Sequence, residues 1–299
     1  MKTPKWFLKK SMVACLLLPF SVLYYIISKI VYYCRRLNQK KSKRPVICVG
    51  NIFAGGVGKT PIVREIAKYL KSPIIMRGYK KNSDTDNLGD EAKMLRQADI
   101  DVYVGDRARN TELLNNQKSV SPIVMDDGFQ NPTIKKDISI LVFDEKLGYG
   151  NGFILPAGPL RESKLAIKRA DAVIIIKSKK RNLGFKIPYD VPIFYAENRT
   201  VAPRRRVVAF AGIGYPQKFF DTISAVGVKS FPDHYQYTAS DIDKLFTWAK
   251  QEKASLVTTE KDWVRLPADV QKKIKFVPLE TEIEPDFWDW LKGKLNEIV

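Results

Sequence analysis

The chain has 299 residues, 45% of them hydrophobic and 28% charged, a composition that excludes a disordered polymer and suffices for one large domain or two medium ones. The formal net charge is +19, and eleven of the 51 Lys and Arg residues fall in residues 1–44, which contain no Asp or Glu. The three cysteines, Cys15, Cys34 and Cys48, have no metal-site spacing, which argues against a cysteine-built metal centre.

Residues 11–28, SMVACLLLPFSVLYYIIS, form an uncharged run of 18. As a helix it is about 27 Å long, just short of a typical hydrocarbon core. Pro19 is expected to bend it near its middle. Lys2, Lys5, Lys9 and Lys10 precede it, and Arg35, Arg36, Lys40, Lys41, Lys43 and Arg44 follow it. Both clusters are attracted to an anionic cytoplasmic leaflet, and a simple span would have to carry one of them across. The flanks favour a kinked helix lying shallowly in one leaflet. A true span, or a helix packed on the protein's own core, is the alternative. A basic arm could also bind nucleic acid, but the apolar run between the clusters favours lipid.

Downstream, PVICVG (45–50) has the composition of a buried strand, and GKTPIVREIAKYLK (58–71) has helical spacing with Ile62, Ile66, Ala67 and Leu70 on one side. SPIIMRGY is the next predicted strand, followed by a polar loop over 80–90 and a helix in GDEAKMLRQA. DVYVG, SPIVMDDG, ISILVFD, ADAVIIIK and VPIFYA read as further strands, with a helix in RARNTELLNN. This alternation predicts a mostly parallel sheet covered by helices. APRRRVV (202–208) reads as a boundary. A second strand–helix series follows it in VVAFAGIG, PQKFFDTISAVG, DIDKLFTWAKQE and ASLVTTEKD, and a helix rich in Trp and Leu closes the chain.

Strand, glycine-rich turn and helix make the context of an anion cradle, because backbone N–H groups and the helix N-terminus point at phosphate. Gly55, Gly56 and Gly58 permit close approach of the backbone. Lys59 would reach the β- and γ-phosphates of ATP, and Thr60 would bind Mg²⁺. The standard spacing asks for glycine five places before Gly58, where Phe53 stands. VMDDGFQ is a second signal: Asp126 and Asp127 end a strand beside that loop, and adjacent acids favour a cation. Asp90, at a loop-to-helix junction, is a candidate base for a hydroxyl. His234, the chain's single histidine, lies in SFPDHYQY among Asp and Tyr; taken alone, such a histidine is more often a surface or packing residue. Arg77, Arg107 and Arg161 are fixed among glycines and prolines and could grip phosphate or form plain salt bridges. A guanine-reading Asn-Lys-x-Asp motif is absent, which argues against a GTPase.

Together these segments resemble one family, the tetraacyldisaccharide 4'-kinases, from LLLPFSVLYYIIS through VGNIFAGGVGKTP, RGYK, GDEAKML, DDGFQ, GYGNGFILPAGPLRES, AFAGIG, FPDHYQY and TTEKD. The resemblance implies an α/β fold. It has a P-loop NTPase-like core with a mostly parallel sheet, a second smaller α/β domain and an N-terminal membrane-associated helix. The expected bounds are 1–40 for the anchor, 41–203 for the kinase domain and 204–299 for the second domain with the C-terminal helix. The implied reaction moves the γ-phosphate of ATP, with Mg²⁺, to the 4'-hydroxyl of an acylated glucosamine disaccharide 1-phosphate. The product is the 1,4'-bisphosphorylated lipid A precursor. By motif, Lys59, Thr60, Gly55, Gly56 and Gly58 serve the nucleotide. Asp90 is the base and His234 its orienter. Asp126 and Asp127 attend metal and phosphates, Glu162 belongs with the metal and Arg161 with the phosphates. Tyr79, Arg77 and Arg107 shape the substrate or nucleotide pocket. The expected location is the cytoplasmic face of a bacterial inner membrane, against an anionic surface, with no nucleic acid and no obligate protein partner. If His234 comes from a separate domain, domain closure would complete the site and exclude water.

Two positions depart from the family's pattern. Asn131 stands after DDGFQ where the family usually has His, and Asn cannot titrate. Ser163 stands after LRE where the family often has Pro, which alters loop stiffness more than chemistry.

Overall fold

The computed structural model describes residues 4–77, 89–178, 185–201, 203–214 and 216–298. In chain order, the helices α1 (Lys5–Leu8), α2 (Met12–Leu16) and α3 (Leu18–Arg36) precede β1 (Val46–Gly50), α4 (Lys59–Leu70) and β2 (Ile74–Met76). Then come α5 (Asp90–Gln97), β3 (Val102–Val104), α6 (Arg107–Asn115), β4 (Ile123–Asp126), β5 (Ile138–Asp144), β6 (Ala172–Ile176) and β7 (Ile193–Thr200). The last third holds β8 (Val207–Ala211), α7 (Pro216–Phe220), β9 (Gly227–Ser230), α8 (Ala239–Gln251) and β10 (Ser255–Thr259). It ends in α9 (Glu260–Trp263), α10 (Ala268–Gln271), β11 (Lys275–Val277), β12 (Leu279–Ile283) and α11 (Pro285–Asn296).

The chain forms two compact units. The larger comprises Thr3–Asn87, Ala98–Glu197 and Thr281–Val299, and the smaller takes Leu88–Gln97 and Asn198–Glu280. This division differs from the expected bounds at 40 and 203. Helix α5 goes with the smaller unit, where it packs on α9. Helix α11 goes with the larger, because Phe287 stacks edge-on against Phe194 of β7 at 5.4 Å between ring centroids. The N-terminal helices also belong to the larger unit: the amide of Asn151 donates to the Phe7 carbonyl at 2.8 Å.

The larger unit carries an eight-stranded sheet in the order β12-β7-β6-β5-β1-β4-β2-β3. The pairs from β7 through β3 are parallel. All five residues of β1 are buried. That is why PVICVG shows an unbroken apolar run rather than alternation: helices cover both faces of such a sheet. Strand β1 lies between β4 and β5, and the chain leaves it toward β2 but leaves β4 toward β5. This is a topological switch point, the place where ligands bind at the carboxyl ends of an open parallel sheet. Register Val49↔Asp126 brings the ends of β1 and β4 side by side.

Pro19 does not kink a single long helix. The break falls at Leu17, and Pro19 occupies the first turn of α3, where a missing N–H costs nothing. Among the described residues no helix is long and apolar enough to cross a membrane. Helix α3 buries Ser21 and exposes much of its apolar surface, with Phe20 60%, Val22 59% and Ile30 57% exposed. The Ser21 hydroxyl donates to the Ile154 carbonyl at 2.9 Å and accepts from the Ala157 amide at 3.0 Å. Lys29 lies 3.6 Å from Glu162. Polar residues of this helix therefore make its contacts with the protein, and apolar ones face outward, the reverse of a normal surface helix.

The smaller unit has a four-stranded sheet, β11-β10-β8-β9, all of whose pairings are parallel. Helix α8 lays Ile242, Leu245 and Ala249 against Val208, Phe210 and Leu256, and a Thr238–Asp241 capping box closes its N-terminus. The helix expected over 216–227 ends at Phe220. The β-branched Thr222 and Ile223 and the following Gly227 weaken its continuation. Gly227 instead opens β9 against the ring of Trp248.

Candidate active site

The turn after β1 is built by interactions that fix its backbone and its lysine together. Asn51 is fully buried. Its side-chain amide donates to the Phe53 carbonyl at 2.7 Å, and its side-chain oxygen accepts from Lys59 Nζ at 3.1 Å. A second strap is the segment after Phe153: the Ala54 amide donates to the Pro159 carbonyl at 2.6 Å and the Arg161 amide to the Ile52 carbonyl at 2.7 Å. Phe53 is buried and bridges Leu160. Its backbone is not left-handed, so this position does not require glycine, and the ring anchors the loop instead. Gly58, at φ 85°, does require it; there the chain turns into α4. A Cβ at Gly56 would meet nothing within 4 Å, so the backbone there is open to an incoming group. The α4 N-terminus has no side-chain cap and carries Lys59 and Thr60 in its first turn, which suits an anion.

The turn after β4 faces this cradle. Gly50 lets it approach, since a Cβ there would lie 2.6 Å from Cβ of Phe129. The Asp127 amide donates to the Val49 carbonyl at 2.9 Å. Lys59 Nζ is 3.3 Å from Asp127 Oδ1, and Arg161 Nη1 donates to both Asp127 oxygens at 3.0 and 2.9 Å. Burial alone would raise the Asp127 carboxyl, but the charges and hydrogen bonds of Lys59 and Arg161 outweigh it and hold the group below the usual carboxylate range. The backbone of this turn is held from beneath. Arg107 is buried and donates to the carbonyls of Asp126 and Asp127 at 2.8 and 3.1 Å. Lys136 donates to those of Gly128 and Phe129 at 3.1 and 3.0 Å.

A second cluster lies wholly within the smaller unit. Asp90 opens α5, and His234 Nδ1 is 3.2 Å from its Oδ2. His234 itself has φ 59° and its amide donates to the Gly212 carbonyl at 3.1 Å. Arg265 donates to the same Asp90 oxygen through Nε at 2.8 Å and Nη2 at 2.6 Å. Burial again favours the neutral acid, and the hydrogen bonds and charge of Arg265, with Lys261 and His234 behind it, more than offset that. The carboxyl is held below its ordinary value.

The structure thus brings Lys59, Asp127 and Arg161 together at the glycine cradle, and Asp90 together with His234. Arg107 is placed beneath the Asp126–Asp127 turn, whose backbone it braces. Glu162 is bound by Arg169 at 2.7 and 2.6 Å and approached by Lys29. Among the described residues no three His, Cys, Asp or Glu side chains gather to hold a metal. Arg77 is exposed just after β2, and Tyr79 lies outside the described residues. Asn131 closes its own turn, accepting from the Thr133 amide at 2.8 Å and hydroxyl at 2.6 Å. Sequence reasoning missed Asn51, Lys136 and Arg265. Asn51 directly follows a strand-ending glycine at the loop's start, which is a usable signal. Arg265 lies three residues after TTEKD, with no local pattern to mark it.

A parallel α/β sheet with a lysine-bearing anion cradle at its switch point, and a separate carboxylate–imidazole pair, defines a protein equipped to bind anionic groups and to take up a proton. The chain matches the family described as tetraacyldisaccharide-1-P 4'-kinase (LpxK) over residues 13–296 and belongs to it. The tetraacyldisaccharide 4'-kinase of Gluconobacter oxydans is 36% identical, with 93% of each chain covered. That of Paramagnetospirillum magneticum is 34% identical over 97% of this chain and 95% of its own. A crystal structure of LpxK from Aquifex aeolicus, described as an "apo" form in complex with ATP, matches with a TM-score of 0.76 at 29% identity, covering 96% of this chain and 99% of that one.

Proposed function

We propose that this chain is an ATP-dependent kinase that phosphorylates the 4'-hydroxyl of tetraacyldisaccharide 1-phosphate, giving the 1,4'-bisphosphorylated lipid A precursor. The observation that carries this reading is the cradle after β1, where Asn51 and Asp127 hold the Lys59 ammonium at 3.1 and 3.3 Å beside an uncapped helix N-terminus. It is read with the family match over residues 13–296 and the ATP complex of the Aquifex relative. The core is P-loop NTPase-like, with Phe53 in place of one loop glycine. Thr60 and Asp127 would supply oxygen donors of the kind that suit Mg²⁺. When bound, that ion offsets charge on the phosphates.

The chain's own residues divide the work. Lys59 and the loop amides hold the triphosphate, and Arg161 adds a second cation at the same carboxylate. Both offset the charge that spreads over the transferred group. Asp90 accepts the hydroxyl proton and His234 orients it. The test is transfer of labelled phosphate from ATP to a 1-phosphorylated tetraacyl glucosamine disaccharide in detergent micelles. Release of phosphate with no labelled lipid would mark an ATPase and sink the reading.

The helix pair α2–α3 supports an interfacial location on the cytoplasmic face of a bacterial inner membrane. Its outward apolar residues are about half exposed, so covering each in lipid contributes on the order of 1 kcal/mol. The flanking Lys and Arg residues add attraction to anionic headgroups. An acceptor that stays in the leaflet also avoids extraction at about 0.8 kcal/mol per methylene. Replacing Phe20, Leu23 and Ile30 with Ser should abolish co-sedimentation with vesicles containing anionic lipid while the thermal transition stays near that of the parent. Unchanged co-sedimentation would remove this face from the interface.

A further inference from the structure

The Asp90 carboxylate has one crowded oxygen. Arg265 Nε and Nη2 and His234 Nδ1 all converge on Oδ2, at 2.8, 2.6 and 3.2 Å. Among the described residues Oδ1 takes no hydrogen bond. Arg265 is itself held. Its Nη1 donates to the Gly212 carbonyl at 2.9 Å and to Asp262 Oδ1 at 3.0 Å, and its side chain is 2% exposed. Asp262 is fully buried. It accepts from the Tyr237 hydroxyl at 2.9 Å and the Thr259 hydroxyl at 2.6 Å. The Gly212 carbonyl also takes the His234 amide, so one backbone oxygen indexes both the arginine and the histidine.

Resting on the kinase reading above, we infer that Arg265 is the positioning residue of the proton acceptor: it occupies Asp90 Oδ2 and leaves Oδ1 as the oxygen that meets the substrate hydroxyl. Asp262 is the buried post that keeps Arg265 in this pose. A planar guanidinium gripping a single carboxylate oxygen through two N–H groups fixes the carboxylate's rotation. Lysine carries the charge but cannot make the fork. Arg265 Nη2 also lies 3.2 Å from His234 Nδ1. Asp90 and Arg265 therefore contend for that ring nitrogen: it donates to Asp90 when it carries hydrogen and accepts from Arg265 when it does not. Arg265 thereby biases the tautomer as well as the carboxylate. The other charged groups around the pair are Lys261 on α9, 3.5 Å from His234 Nε2, Asp233, 3.8 Å from the same atom, and Glu91 and Lys93 on α5.

The experiment compares Arg265→Gln, Arg265→Lys and Asp262→Asn in the full chain, each checked for a cooperative thermal transition. Arg265→Gln should lower kcat about 10- to 100-fold, the cost of a misplaced reacting group, with KM for ATP unchanged. Arg265→Lys should recover only part of that loss. The carboxyl resonance of Asp90, assigned with Asp90→Asn in ¹³C-labelled protein, should titrate at higher pH in Arg265→Gln. Asp262→Asn, which leaves Arg265 and Asp90 unmutated but loosens the post that holds Arg265, should move both readouts the same way to a smaller extent. Unchanged kcat together with an unmoved Asp90 titration in folded Arg265→Gln overturns the inference, as does full rescue by Arg265→Lys. The titration needs no acceptor. A wild type that transfers no phosphate to the lipid therefore refutes the kinase reading separately, while the Asp90 resonance still reports on Arg265.

Discussion

Lys59→Ala should reduce kcat/KM for phosphoryl transfer by about 10³-fold, in line with the loss of a preorganised charge from a site that stabilises phosphoryl transfer. The ammonium is held between Asn51 Oδ1 and Asp127 Oδ1, so the protein itself fixes its position. The fold should survive the change. Helix α4 is anchored by Ile62, Val63, Ile66 and Ala67, and Arg161 still pairs with Asp127. Lys59→Arg should not restore activity, because a planar fork does not fit the point-charge position between an amide oxygen and a carboxylate. Steady-state transfer to the micellar lipid and calorimetric ATP titration measure the two parts. Activity within tenfold of the parent in Lys59→Ala would mean that the turn after β1 is not the phosphate site.

The cradle and the sheet were legible because they are local in sequence. An unbroken apolar run, glycines and a lysine within fifteen residues specify strand, turn and helix with little help from elsewhere. Phe53 looked like a defect because the spacing rule knows only the turn. Its role depends on Leu160, more than a hundred residues away. Arg265 is the same case at larger scale. Its partners are Asp90, Gly212 and Asp262, and nothing in TTEKDWVR reveals that its guanidinium turns inward to a carboxylate 175 positions earlier. Strands β9 and β11 escaped for a different reason. Gly227–Ser230 has no buried residue, and Lys275–Val277 is too short to show a period. The expectation that Glu162 belongs with the metal came from the resemblance of LRES to the family, not from any local pattern. The structure pairs its carboxylate with Arg169 and Lys29, because α3 turns its single mid-helix lysine toward the protein.

Asp90→Asn should lower kcat by about 10²- to 10⁴-fold, the usual range for removing a general base, with ATP affinity unchanged. None of the partners of Asp90, neither Arg265 nor His234, belongs to the glycine cradle. Asn keeps the shape and can still accept from Arg265, so it separates proton uptake from placement. Asp90→Ala removes both and leaves a buried guanidinium with only Asp262 opposite, so it should also lower stability. The pH dependence carries a definite sign. The folded-state carboxyl lies below its ordinary value, so the ionised group stabilises the fold above the unfolded-state pKa, about 3.9. That stabilisation is lost as pH falls through the folded-state value. The stability difference between the parent and Asp90→Asn should therefore be constant from neutral pH down to about pH 5 and shrink below about pH 4. Denaturant unfolding at a series of pH values measures it. A difference that grows on acidification would mean that Asp90 is protonated at rest and unable to serve as the base.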